Sequence, residues 1–193
     1  MHTYRAQLIG GMALATLLLP AGTSPAQTVD QSVETRLANQ EQRIGEGLKD
    51  GSLTAREAAR LQREESQLNR EWARAKADGV ITPQERAGME RNLDRASRDI
   101  YRERHDAQVA NPNNPINQRL GNQAERIAAG IRDGSLTNRE AAHLERGESR
   151  IAAEEARFLR DGKLSGWERR KLDRDLNRES LQIDRARHNT RHQ

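Results

Sequence analysis

Carboxylates stand at regular places in this chain. Asp50 and Glu57 lie seven residues apart, and so do Asp78 and Glu85, Asp133 and Glu140, and Asp161 and Glu168. Each pair brackets one motif: Asp-Gly, any residue, an aliphatic, Thr or Ser, two residues, Glu. Oxygen donors at fixed spacing are what a hard cation such as calcium takes. His188 and His192 lie four apart, a spacing that can chelate a transition metal on one helix face. The same residue types also build a tight turn between two helices. The chemistry of the chain depends on which use the motif serves.

The motif resembles the second half of the helix-loop-helix calcium site, the EF-hand. That family has Gly at loop position 6, an aliphatic at 8 and a bidentate Glu at 12, and all four copies match. It also has oxygen ligands at positions 1 and 3. Here those places hold Glu46 and Leu48, Arg74 and Lys76, Ala129 and Ile131, and Arg157 and Leu159. Seven of the eight offer no side-chain oxygen, and Arg74, Lys76 and Arg157 repel a cation. The resemblance implies calcium ligation by Asp50, Glu57, Asp133 and Glu140, and we keep ion binding, by these or by His188 and His192, as the alternative reading.

The turn accounts for every position. Gly51, Gly79, Gly134 and Gly162 can take the left-handed conformation that ends a helix. Thr54, Thr82, Thr137 and Ser165 are N-caps. Glu57, Glu85, Glu140 and Glu168 follow three residues later and complete a capping box. Pro83 stands at a first helical position, where its missing N–H costs nothing. The aliphatics Leu53, Ile81, Leu136 and Leu164 fold back on the helix ends. Leu53-Thr54-Ala55-Arg56-Glu57 and its relatives also resemble the Leu-Thr-x-x-Gln motif of small all-helical periplasmic stress chaperones, with Glu in place of Gln. That resemblance implies a chaperone or envelope-stress role.

Other chemistry has little support. The chain has no cysteine. Ser66 and Ser149 recur, yet no base or oxyanion donor accompanies them. The adjacent pairs Glu64 and Glu65, and Glu154 and Glu155, read as solvated surface. We expect no enzyme and no cofactor. His105 and His188 occupy equivalent places near helix C-termini, where a cation is favoured. Trp72, Tyr101, Phe158 and Trp167 stand where the two halves of the chain differ. They are candidate anchors for a partner, since aromatics dominate binding hot spots, or else they mark local repacking.

The elements that position these residues come in duplicate. Residues 39–105 align with 122–188 at a constant offset of 83, without a gap and with roughly half the positions identical. A weaker repeat of 28 relates Asp50 to Asp78 and Asp133 to Asp161. Repeats of this length signal helical hairpins. Each copy predicts three helices, over 32–49, 54–77 and 82–106, then 115–132, 137–160 and 165–189. Apolar residues step by three, four and seven along them, as in Val33, Leu37, Ile44 and Leu48. The stripes are narrow, like a coiled-coil seam. No segment alternates with period two. The expected fold is all-α: a tandem duplication of a three-helix antiparallel unit, with six helices in total. A first repeat over 27–110 and a second over 116–193 flank an Asn/Pro linker at 111–115.

Residues 1–26 read as a signal peptide. A basic start precedes an apolar run from Leu8 to Leu19, and small residues lead to expected cleavage after Ala26. The run is short for a membrane span, so we expect export to the periplasm or beyond, with no integral span after cleavage. The net charge of +4 arises from interspersed acids and bases. Such mixing suits solvated helix faces and excludes a nucleic-acid arm. Expected partners are other proteins, unfolded polypeptides or a second copy in a homodimer. Hydrophobic residues make up 34% of the chain and aromatics 3%, so a partner surface would help to cover a thin core.

Overall fold

The computed structural model describes the backbone of residues 25–189 and the side chains of 32–189. The expected signal peptide, but for its last two residues, and His192 lie outside the described residues. Six α-helices follow in order: α1 (Pro25–Asp50), α2 (Ala55–Ala75), α3 (Pro83–Arg104), α4 (Pro115–Arg132), α5 (Asn138–Phe158) and α6 (Gly166–Arg187). A 3₁₀ turn at Leu159–Asp161 follows α5. Among the described residues there is no strand, and no helix is long and apolar enough to cross a membrane.

Helix ends follow local chemistry. Gly51, Gly79, Gly134 and Gly162 have φ between +74° and +84° and close the turns. Asn114 caps α4 by accepting from the Ile116 N–H, so the linker ends one residue before the expected Pro115. It begins at His105, where α3 has closed.

The two copies pack into each other. α2 lies along α5 and α1 along α4, while α3 and α6 flank their own copies. Ser66 Oγ donates to the Ala142 carbonyl at 2.8 Å, and its equivalent Ser149 Oγ donates to the Ala59 carbonyl at 2.7 Å. The reciprocal pair makes α2 and α5 antiparallel about a local two-fold axis. On the other seam, a Cβ on Gly45 would stand 2.8 Å from the Gly121 carbonyl oxygen, and one on Gly121 2.6 Å from that of Gly45. Glycine lets the α1 and α4 backbones approach that closely.

This interlocking gives two apolar clusters, each drawn from all six helices. One gathers Leu37, Trp72, Leu93, Ile127, Leu144 and Ile183, among others. The other gathers Ile44, Leu61, Ile100, Leu120, Ile151 and Leu176 with their neighbours. A narrow stripe describes α3 and α6, each of which buries four residues one or two turns apart. It does not describe α2 or α5. They bury a broad face, much of it polar, because they lie inside the four-helix core.

Candidate functional site

Each of the four turns holds its capping box. Thr54 Oγ1 accepts from the Glu57 N–H while Glu57 Oε2 accepts from the Thr54 N–H at 2.8 Å. Thr82 with Glu85, Thr137 with Glu140, and Ser165 with Glu168 repeat that exchange. Leu53 folds back so that its N–H bonds the Gly47 carbonyl, and Leu136 does the same with Gly130.

Most candidate ligands of the calcium reading are already engaged, but Glu57 keeps one buried oxygen, Oε1, without a donor. Asp50 Oδ1 accepts from the Ser52 N–H at 2.8 Å and Oδ2 from Arg104 at 2.8 Å. Asp133 does the same with Ser135 and Arg187. Burial pushes both carboxyls up, but the serine hydrogen bonds and the arginine charge outweigh it and hold them below the usual range. Glu140 takes Thr137 on one oxygen and Asn189 Nδ2 on the other. His188 Nδ1 donates to the Asp184 carbonyl at 2.8 Å, and His105 likewise to Tyr101, on whose ring it stacks.

The aromatic candidates part company. Trp72 is wholly buried in the first apolar cluster. It is a core residue and not an exposed anchor, because α2 turns that face toward the bundle centre. Tyr101 and Trp167 are 60% and 56% exposed. Trp167 stands edge-on to Phe158, which packs against the second cluster.

Beside the turn after α5 the surface opens into a groove of about 620 Å³. The first turn of α2, the linker, the start of α4, the turn after α5 and Arg169 of α6 line it. Its walls carry Arg56, Lys163 and Arg169, the amides of Gln108, Asn111, Asn113, Asn114 and Asn117, and no carboxylate, histidine or cysteine. Asn117 is 2% exposed, and its Oδ1 lacks a donor. The linker wall is fixed in place. The Ala110 N–H bonds the Gly51 carbonyl, Gln118 Nε2 bonds the Pro112 carbonyl, and Asn114 Nδ2 bonds Glu155 Oε1. Such a surface can bind an anionic, hydrogen-bonding ligand, but it offers no general base.

A second polar assembly lies inside the bundle. Glu41 of α1, Glu65 of α2, and Glu145 and Glu148 of α5 are all buried. On each helix they fall between residues of the two apolar clusters. Glu65 and Glu155 therefore correct the reading of both adjacent glutamate pairs as solvated surface. Neighbours on a helix point about 100° apart, and in each pair the second member turns inward. Burial pushes Glu41 up to about 8, against the Gln62 side chain. Glu65 is raised well above the usual range by burial, then by Glu41 and Glu64, with Arg43 opposing. Glu145 and Glu148 are raised by burial and by the other carboxyls, with Arg70 and Asn69 opposing at Glu145 and Arg126 at Glu148. Gln62 Nε2 donates to Glu148 Oε2 and Asn69 Nδ2 to Glu145 Oε1, each at 2.7 Å. Both oxygens of Glu41 lack a donor. Near neutral pH Glu41 therefore keeps its proton, and burial resists ionisation of the other three.

No family model, no curated protein and no solved structure matches this chain.

Proposed function

We propose that this chain is an exported, non-enzymatic helical module that binds an extended, acidic polypeptide segment in the linker groove. One observation carries the reading: three cations and the exposed amides of Gln108, Asn111 and Asn113 line one groove that has no acid among its walls. Carboxamides pair with both the N–H and C=O of an extended backbone. Arginine pairs with carboxylates in two-pronged fashion. The secretion-like first 26 residues support export, and the Leu-Thr-x-x-Glu motif adds the chaperone or envelope-stress role as the biological setting.

The test is fluorescence anisotropy of a labelled, extended Glu-rich peptide against the same peptide with Lys in place of Glu. The acidic peptide should bind and weaken with salt, and Arg56→Glu with Arg169→Glu should abolish binding. Equal affinity for the Lys peptide, or full binding by the double variant, refutes the reading. Suppression of aggregation of an unfolded protein, reduced by the same variants, extends it to a chaperone.

A further inference from the structure

The duplication supplies an internal comparison at the first turn of α2. In the second copy both oxygens of the capping Glu140 have donors: the Thr137 N–H at 3.0 Å on Oε2, and Asn189 Nδ2 at 2.6 Å on Oε1. In the first copy Glu57 Oε2 accepts from the Thr54 N–H, but Oε1 is buried without a donor, on a residue 6% exposed. At the offset of 83, the residue matching Asn189 is Asp106, and the residue matching Ala186 is Glu103. An amide donor and a methyl group are thus replaced by two acids. Glu57, Glu103 and Asp106 each bring a carboxylate oxygen within 4.8 Å of the others.

Three carboxylates this close repel one another and leave Glu57 Oε1 unsatisfied. Arg60 pairs with Glu103, and the Gln108 N–H and Nε2 reach Asp106 at 2.8 and 3.3 Å. Those contacts offset part of the charge but do not reach the free oxygen of Glu57. A cation among the three would satisfy it. The ligands are all hard oxygens, with no nitrogen or sulfur, which selects calcium-like ions over zinc or copper. Two oxygens on opposite sides of a calcium ion lie about 4.8 Å apart at its usual bond lengths. Oxygens on one calcium ion lie no farther apart than that, and the three meet this limit.

We infer that Glu57, Glu103 and Asp106 form a calcium site that ties the start of α2 to the end of α3 and to the linker. Waters complete the coordination, because Asp106 stands at the surface. Affinity should fall in the range of about 10⁻⁴ to 10⁻³ M typical of extracellular modules.

Isothermal titration of the EDTA-stripped chain with calcium chloride tests this. One ion should bind, and the melting temperature should rise with calcium. Asp106→Asn gives Glu57 the partner that Glu140 already has. It should lose the titration heat, melt in EDTA at or above the parent, and keep the parental circular dichroism spectrum. Glu140→Gln, in the other copy, should leave calcium binding intact. The inference is overturned if the parent gives no heat with calcium up to about 10 mM, or if Asp106→Asn keeps the parental isotherm.

Discussion

Replacing Glu41 by Gln should make this protein less sensitive to rising pH. The Glu41 carboxyl titrates at about 8 when folded and at 4.5 in the open chain. Below pH 4.5 both states carry the proton, and the group costs nothing. Between 4.5 and 8 the unfolded chain releases it while the folded chain keeps it. Stability then falls by about 1.4 kcal/mol per pH unit, and above 8 the loss levels off. The full span amounts to about 5 kcal/mol as an upper figure, and water entry reduces it to about 2–5 kcal/mol. Glu65, Glu145 and Glu148 act in the same direction. Asp50 and Asp133, held below their usual value of 3.8, act oppositely: the stability they give is present above that value and is lost as pH falls through their folded values. Stability should therefore peak near pH 4 and decline toward 8. Glu41→Gln keeps the shape and removes the titration. At pH 8 it should raise the melting temperature by roughly 5–15 °C, at about 2–4 °C per kcal/mol, with little change near pH 4.5. Thermal denaturation across that pH range measures both. Parallel curves for parent and variant, or a parent that grows more stable from pH 5 to 8, would refute the reasoning.

Other perturbations follow from the same geometry. Thr137→Ala removes a cap and should cost about 1 kcal/mol, seen as a lower urea midpoint with no change in ion dependence. Gly121→Ala drives a methyl toward the Gly45 carbonyl and Lys49, and should cost about 1–3 kcal/mol in the same assay. Trp167→Ala should leave the melting temperature within about 1 °C in thermal denaturation, since the residue is more than half exposed.

Much of this fold is written in local chemistry. Gly51, Thr54 and Glu57 specify a turn by themselves, and their three repeats specify the others, so helix order and class follow from the sequence. The interior is another matter. Glu65 and Glu155 look like surface residues because apolar periodicity counts only apolar residues. The donors that meet buried glutamates, Asn114 at Glu155, Asn69 at Glu145 and Gln62 at Glu148, come from helix ends and helices far apart in the chain. Ser66 and Ser149 showed themselves as a repeat, but their use, bonding carbonyls across the α2–α5 seam, depends on how the copies meet. The groove is equally non-local, being assembled from both copies and the linker. The calcium trio could have been found in the alignment, as two acids facing Ala186 and Asn189. Its meaning needed the hydrogen bond that Asn189 makes.

The reciprocal serine bonds between α2 and α5 also bear on the history of the chain. They are the contacts two identical subunits make across an isologous interface. Any residue near such an axis appears twice, and every substitution there is tested in duplicate. A symmetric pair of first copies would place two Glu41 side chains in the central layer. Joined in one chain, the second of those places is Ala124. In the same way Glu64 and Ala96 in one half answer to Gly147 and Glu179 in the other. At these places the interior departs from two-fold symmetry, as two halves joined in one chain are free to do.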